Sequence, residues 1–144
     1  MKSFGFREFF IVDDLFTTDV DRTKEICRRM ISENLDFAWQ CQNGIRVDAG
    51  DQEMFDLMKR AGCYKVAFGF ESGNDDVLKG FGKGGKATIQ RAFETVKMAR
   101  RAGIDVFGFF MVGLLNDNEE TMRQTIEFGR KLQTDILKIR KKIL

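Results

Sequence analysis

Residues 64–74 read YKVAFGFESGN, and this stretch decides the fold. A short run of β-branched and aromatic residues that is closed by Gly and Asn is typical of a strand buried in a sheet. The polar side chains of Glu71, Ser72 and Asn74 follow at its end. In parallel α/β proteins, ligands bind at the carboxyl ends of strands, because loops and helix N-termini converge there. These three residues are candidates for holding a polar ligand, and capping of the next helix is the alternative.

Three more apolar runs and the helical patterns between them surround this stretch. The predicted strands start near residues 8, 36, 65 and 105, so the order of elements is βαβαβαβα, with a short extra helical turn after the third strand. The segments MKRAGCYKVAFGF and ARRAGIDVFGFFMVG repeat one pattern of helix end, Arg-Ala-Gly and strand. Such repeats predict an α/β fold of parallel strands joined by right-handed crossovers. About four strands and four to five helices form an open sheet or an arc of a TIM-type barrel, which closes with eight strands.

Capping residues give the expected helix boundaries. Asp48, with Asp51 three residues later, offers an N-cap for the helix in DQEMFDLMKRAG, and Gly62 is placed to end that helix. Asp117 with Glu120 is expected to begin the last helix, NEETMRQTIEFGRKL.

Composition is that of one globular domain: 144 residues, 43% hydrophobic and 32% charged. No apolar run is long enough to cross a membrane, and the charged start MKSFGFREFF does not fit a signal peptide, so we expect a cytoplasmic protein. The last nine residues, ILKIRKKIL, carry four basic groups. Residues 1–135 are predicted to form the domain and residues 136–144 a basic tail. A solvated helix end or the remnant of a truncation is favoured for this tail over contact with nucleic acid or an anionic membrane.

The cysteines Cys27, Cys41 and Cys63 are 14 and 22 residues apart, and histidine is absent. No pair has metal-site spacing, and no imidazole is available for a zinc site or a catalytic triad. The loop GFGKGGKAT at residues 80–88 contains G-x-G-x-x-G and is one residue from a P-loop, but it follows a helical turn rather than a strand. We therefore expect this loop to connect two helices rather than to bind a nucleotide.

Polar residues follow every predicted strand and should meet on one rim of the sheet, where convergence favours a ligand site. Arg46 is a candidate partner for a ligand carboxylate, and an ion pair with Asp48 is the alternative. The candidates on this rim are Asp13, Asp14, Arg46, Glu71, Ser72 and the loop after Gly113.

Four segments of the chain resemble, in this order, the core of radical S-adenosylmethionine (radical SAM) enzymes. They are FREFFIVDDLFTTD, LDFAWQCQNGIRVD, FDLMKRAGCYKVAFGFESGNDDVLKGFGKG and ARRAGIDVFGFFMVGLLNDNEETMRQTIEF. The likeness covers residues 4–133 and is greatest for the subgroup that often carries a cobalamin-binding domain. It implies a partial (βα)6 barrel with S-adenosylmethionine on its rim. It also implies a [4Fe-4S] cluster that reduces the sulfonium to a 5′-deoxyadenosyl radical.

The resemblance also implies roles for individual residues. Asp13 and Asp14 would lie near the methionyl amino group, and Glu71 and Ser72 near the ribose and methionine. Lys83 would meet the cosubstrate carboxylate. The adenine would be lined by the end of the fourth strand, which includes Phe109, Met111 and Gly113.

Two features depart from the family pattern. The three cluster cysteines in C-x3-C-x2-C spacing are absent, and Cys27, Cys41 and Cys63 all lie elsewhere in the pattern. The family turn Gly-Leu-Pro-Gly-Glu is Gly-Leu-Leu-Asn-Asp at residues 113–117. The chain is therefore expected to be a piece of a larger radical SAM enzyme, inactive alone, whose cluster ligands lie in a missing N-terminal segment.

The substrate, the reaction subclass and the use of cobalamin stay open, and a small-molecule substrate fits the family. A non-catalytic α/β module that binds a nucleotide, nucleic acid or protein partner is the alternative, although nucleic acid is not favoured. Apolar strands at an open sheet edge are pairing hazards, so we also expect self-association.

Overall fold

A computed structural model describes residues 5–13, 16–80 and 87–142 of the chain. Within these ranges a single sheet has the strand order β1-β2-β3-β4-β5, and every neighbouring pair is parallel. This confirms the predicted α/β fold of parallel βα repeats. In chain order, the elements are β1 (Glu8–Ile11), α1 (Val20–Ser32), β2 (Ala38–Ile45), α2 (Gln52–Arg60), β3 (Cys63–Glu71), α3 (Asp75–Leu78), α4 (Ile89–Arg101), β4 (Asp105–Val112), α5 (Glu119–Lys131) and β5 (Ile136–Lys141).

The core lies between one face of the sheet and the helices. Each long helix buries an apolar stripe, and alternate residues of the central strands pack against it. We call the opposite side of the sheet the open face. Side chains that point from the central strands into the core include Trp39, Cys41, Val66, Phe68, Phe70, Val106 and Phe110.

The carboxyl-terminal segment differs from its predicted form. The sequence predicts a basic tail at residues 136–144, but residues Ile136–Lys141 form β5, so the described sheet has five strands rather than about four. Asp135 ties this strand to β4: its backbone N–H donates to the Val106 carbonyl at 2.9 Å, and its Oδ2 accepts from the Val106 N–H at 2.8 Å. The basic residues suit an edge strand, because charge discourages further pairing.

Helix boundaries follow the sequence closely. Asp51, the second of the two candidates, is the N-cap of α2, and Gly62 ends that helix with a φ of +99°. The last helix is capped by Asn118, in a capping box with Thr121, rather than by Asp117 with Glu120. The strand β2 extends to Ile45 through a shift in register against β3.

No helix in the described ranges combines the length and the apolar character needed to cross a bilayer.

An ion-pair cluster joins α1 to α2. Lys24, whose side chain is 9% exposed, places Nζ 2.7 Å from Asp51 Oδ2 and 2.7 Å from Glu53 Oε2. Hydrogen bonds to both carboxylates raise the pKa of Lys24. The hydrogen bond from Lys24 lowers the pKa of Glu53. Burial acts to raise the pKa of Asp51, but the hydrogen bonds from Lys24 and the Met54 N–H together leave it lowered.

This cluster predicts how stability depends on pH. The two carboxyl groups have lower pKa values in the folded chain than in the unfolded chain, where they are about 4. They therefore stabilise the fold above about pH 4, and this stabilisation is lost as the pH falls through the folded pKa values. The raised pKa of Lys24 contributes below about 10.4 and is lost as the pH rises through its folded value. We expect Lys24→Gln to flatten the loss of thermal stability below about pH 4, relative to the parent chain.

The measurement is the melting temperature by circular dichroism from neutral to acidic pH. The exposed Lys97 on α4 provides the control Lys97→Gln, which should leave the acid slope unchanged. Parallel acid slopes for Lys24→Gln and the parent would contradict the assignment.

Candidate functional site

The carboxyl ends of all five strands lie along one edge of the sheet, because every strand runs in the same direction. This edge is the rim predicted from the sequence. Asp13 follows β1, Arg46 follows β2, Glu71 ends β3, and Gly113 follows β4. Asp14 and Lys83, which were also predicted on this rim, lie outside the described residues.

The end of β3 carries a bulge and a strained residue. Gly69 pairs with Phe109 and Glu71 pairs with Phe110, so β3 has one extra residue, Phe70, at this point. Glu71 has a φ of +66°, in the left-handed region. For a residue other than glycine, this conformation costs about 1–2 kcal/mol. Such strain persists where the surroundings hold it, and it clusters at functional sites.

The turn after Glu71 is fastened to α5. Ser72 is fully buried, and its Oγ lies 3.3 Å from Thr125 Oγ1 and accepts from the Asn74 N–H at 3.1 Å. The Gly73 N–H donates to Thr125 Oγ1 at 2.9 Å. The Ser72 hydroxyl is thus engaged by protein groups and positions the turn, whereas Glu71 stands half-buried beside it.

The capping alternative applies to only one of the three polar residues. Asn74 is the N-cap of α3, where its Oδ1 accepts from the Asp76 and Val77 N–H groups at 3.0 Å each. Its Nδ2 also donates to Gln124 Oε1 at 2.8 Å. Glu71 and Ser72 precede the cap, so contact of these two residues with a ligand stays a prediction.

The turn after β4 keeps a defined geometry despite its altered sequence. Asp117 Oδ2 accepts from the Gly113 and Leu114 N–H groups, both at 2.9 Å, and Asp117 Oδ1 accepts from the Thr121 hydroxyl at 2.8 Å. Asn116, where the family pattern has glycine, has a φ of +71°. Asn is the residue other than glycine that best tolerates this conformation, so the turn forms without the Pro, Gly and Glu of the family pattern.

Asp13 and Arg46 flank the rim. Asp13 Oδ2 is 3.9 Å from Arg22 Nη1. Arg46 donates through Nε at 2.8 Å and through Nη2 at 2.6 Å to the two carboxylate oxygens of Asp48. These hydrogen bonds raise the pKa of Arg46. The ion pair that the sequence left as an alternative is therefore formed, and a ligand carboxylate would have to compete with Asp48.

Phe109 and Met111 lie half-buried on β4 and point to the open face, because the intervening Phe110 packs against Phe128 of α5. Phe107 and Phe109 stack with their ring centroids 4.6 Å apart. They form one wall of an open-face hollow of about 200 Å³. The hollow is lined by Gln40, Cys41, Gln42, Lys65, Ala67, Phe107 and Phe109.

Sequence reasoning missed most of this hollow. Its signal was available in the polar residues at alternate positions of otherwise apolar strands, Gln40 and Gln42 in one strand and Lys65 in the next. Alternation alone does not show which residues of neighbouring strands lie side by side, since register sets that.

The cysteines do not form a cluster site. Cys27, Cys41 and Cys63 are all buried in the core. Burial raises the pKa of Cys27 and Cys41 to about 11 and also raises that of Cys63, so their thiolate forms are disfavoured. In the described part of the chain, no three His, Cys, Asp or Glu side chains are grouped to hold a metal ion. These residues do not fit a [4Fe-4S] cluster.

The described residues thus form a parallel α/β sheet with a polar rim and with a hollow on the face opposite the described helices. Proteins of this class bind ligands at the carboxyl ends of their strands. The sequence profile of the Radical SAM superfamily matches residues 1–129. The chain belongs to this superfamily, as its motifs predicted.

The chain is 33% identical over 132 residues to an uncharacterized methyltransferase of Pyrococcus horikoshii, a match that covers 92% of the chain and 28% of that protein. It is 35% identical over 111 residues to cytidylyl-2-hydroxyethylphosphonate methyltransferase of Streptomyces wedmorensis, covering 77% of the chain and 20% of the relative.

Among solved structures, the radical S-adenosylmethionine methyltransferase TsrM from Kitasatospora setae, with cobalamin and a [4Fe-4S] cluster bound, resembles it with a TM-score of 0.86. That match has 18% sequence identity and covers 96% of this chain and 26% of TsrM, so it shows the shared fold. The chain thus spans between 20% and 28% of the length of these relatives.

Proposed function

We propose that this chain forms the S-adenosylmethionine-binding rim of a radical SAM methyltransferase. The observation that carries the proposal is Glu71, a carboxylate kept in a strained left-handed conformation at the carboxyl end of the central strand. A glycine there would avoid the strain, so the carboxylate occupies this position at an energetic cost. Glu71 pairs in register with Phe110 of β4, and this position suits a ligand that spans two neighbouring strands.

The described residues fit the chemical groups of S-adenosylmethionine. Glu71 can accept hydrogen bonds from ribose hydroxyls, and the carboxylate of Asp13 can face the methionyl ammonium. Phe109 and Met111 offer an apolar surface for the adenine ring, next to the backbone of the turn that Gly113 begins. Asp14 and Lys83 are proposed to contact the methionyl amino group and the carboxylate of S-adenosylmethionine, respectively. Only the family pattern supports these two roles.

A bound [4Fe-4S] cluster would supply the electron that cleaves the sulfonium of S-adenosylmethionine. Because the described residues do not fit a cluster, its ligands are proposed to come from another segment of the intact protein. The isolated chain is accordingly expected to bind S-adenosylmethionine without cleaving it. Methyl transfer, and cobalamin as a further cofactor, are proposed for the intact protein from the names of its relatives.

Glu71→Gln tests the proposal, because it removes the charge while keeping the size and the strain. Loss of a charge-assisted hydrogen bond should weaken S-adenosylmethionine binding roughly 10- to 100-fold. Calorimetric titration of the 144-residue chain measures the affinity. The control is Glu25→Gln, the same change at an exposed position on α1.

Glu71→Gly separates function from stability. It should also weaken binding, yet raise the free energy of unfolding by up to about 1 kcal/mol, since relief of the left-handed strain exceeds the entropy cost of glycine. Unchanged affinity in both Glu71 variants, with the fold intact by circular dichroism, would refute the proposed role of Glu71.

A further inference from the structure

The floor of the open-face hollow is formed by residues with small side chains. Ala67, which lines the hollow, and Gly69, two residues further along β3, are the central open-face positions of the sheet. Longer side chains surround them on the neighbouring strands. The depression of about 200 Å³ arises from this contrast in size, and it lies below the rim, on the face of the sheet opposite the described helices.

One side chain of the hollow is buried with an unused acceptor. Gln40 is 4% exposed, and its Nε2 donates to the Tyr64 hydroxyl and, at 3.4 Å, to Glu8 Oε1. The Tyr64 hydroxyl itself donates to Glu8. The reverse amide orientation would turn the Gln40 carbonyl toward the Glu8 carboxylate, which disfavours it.

The Oε1 atom of Gln40 has no hydrogen-bond partner among the described residues. A buried acceptor without a donor is a costly feature in a folded chain. A ligand in the hollow that carries an N–H or O–H group would supply the missing donor.

Two cations lie beside the aromatic wall of the hollow. Lys138 pairs in register with Phe109, and Arg140 pairs with Met111, so both share the open face with these residues. Leu137 confirms the alternation, because its Cδ1 packs close to Gly129 of α5 on the other side of the sheet. Neither cation forms an ion pair in the part of the chain that the structure describes.

The remaining charges on this face do not offset the two cations. Lys65 lines the hollow, with Nζ 5.7 Å from the Tyr64 ring centroid. Asp105 pairs in register with Lys65, and Glu8 is engaged by Tyr64 and Gln40. Lys138 and Arg140 therefore leave the β5 side of the hollow positive, which favours an anionic ligand.

We propose that this hollow holds the molecule that the intact enzyme modifies, and that this molecule is an organic anion with a flat apolar part. Lys138 and Arg140 bind its anionic group, the stacked pair Phe107 and Phe109 packs against the flat part, and Gln40 Oε1 accepts from a donor at the far end. Gln40 and Lys138 are three strands and four residues apart, about 14 Å across the sheet and about 13 Å along it. The ligand is thus elongated. This assignment of substrate class rests on the proposed function.

The test measures binding of three probes to the 144-residue chain by NMR titration. The probes are 6-hydroxy-2-naphthoate, its carboxamide, which lacks the charge, and 2-naphthoate, which lacks the hydroxyl donor. The naphthoate with both groups should bind best, and each deletion should weaken binding about tenfold, as expected for one hydrogen bond to a charged or buried group.

Variants of the chain show which residues bind the anionic end of the probe and which bind its hydroxyl end. Lys138→Gln should weaken the naphthoates about tenfold but leave the carboxamide unchanged, and Arg140→Gln should act in the same direction. Lys141→Gln is the matched control: it makes the same charge change next to Arg140 on β5, where the side chain points to the opposite face of the sheet. It should have no effect on binding of the probes. Gln40→Leu should abolish the preference for 6-hydroxy-2-naphthoate over 2-naphthoate while 2-naphthoate still binds, which also shows that the variant is folded.

The proposal would be overturned by any of three results: equal binding of the naphthoate and its carboxamide, no binding of any probe, or equal losses of affinity in Lys138→Gln and Lys141→Gln. S-adenosylmethionine titrated into the same variants distinguishes the two sites. A loss of its affinity in Lys138→Gln as large as the loss for naphthoate would assign that cation to the cosubstrate instead. Conversely, if Glu71→Gln leaves S-adenosylmethionine affinity unchanged but the naphthoate pattern holds, the proposed cosubstrate role fails and the anion site stands.

Discussion

Gly73→Ala is expected to lower the free energy of unfolding by about 3 kcal/mol, although it adds a single methyl group. A Cβ at this position would lie 2.6 Å from the Gln124 carbonyl oxygen, 2.8 Å from Thr125 Cα and 2.7 Å from Phe128 Cβ. Two of these atoms belong to the backbone of α5 and cannot rotate away. The turn would have to separate from the helix and lose the hydrogen bond to Thr125 Oγ1.

Urea denaturation followed by the fluorescence of Trp39, the one tryptophan in the chain, measures this effect. Gly103→Ala is the matched control. Its φ of +78° costs alanine about 1–2 kcal/mol, but its Cβ would meet nothing closer than Lys59 Cε at 3.6 Å. If Gly73→Ala costs no more than Gly103→Ala, the close approach of the turn to α5 is not present in solution.

Phe110→Ala should have the largest effect, a loss of about 3–5 kcal/mol. Phe110 is 1% exposed, and its ring lies 5.3 Å from that of Phe70 and 5.8 Å from that of Phe128. The cavity would open directly behind the rim, between the ends of two strands and α5. Since small domains are stable by about 5–15 kcal/mol, this one change can remove much of the margin.

The neighbouring residue provides the control for Phe110. Phe109→Ala makes the same truncation one position earlier, on the half-buried open face, and should cost about 1 kcal/mol. Both variants are compared by the same denaturation experiment. Comparable losses in the two would mean that the open face is covered in solution, for instance by self-association of the chain, and would contradict the burial described here.

The sequence predicted the central strands because their apolar runs are buried. YKVAFGFE needed no partner to be recognised as a strand, and Asp51 and Gly62 marked helix ends through local chemistry alone. The strand β5 was missed, since at an edge it is exposed on both faces and its basic residues resemble a solvated tail. The sequence therefore predicts the strands whose side chains are apolar because they are buried. It does not predict the exposed strand at the edge of the sheet.

The candidate site was predictable as a location more than as a set of contacts. The rim followed from parallel strands, but the engagement of Ser72 with Thr125 and of Arg46 with Asp48 depends on atoms that converge only in the folded chain. The strain at Glu71 and the hollow around Gln40 both depend on strand register, which hydrophobic periodicity does not set. These features required the structure.

Helix α5 holds two rim turns at once. Thr125 accepts from the turn after β3, and Thr121, one helical turn earlier, donates to Asp117 in the turn after β4. The Thr125 hydroxyl also donates to the Thr121 carbonyl at 3.0 Å, so the two anchors are joined. Any tilt or slide of this helix would carry both turns with it. The turn after β3 and the turn after β4 are thus mechanically coupled, and a displacement of α5 would move both together.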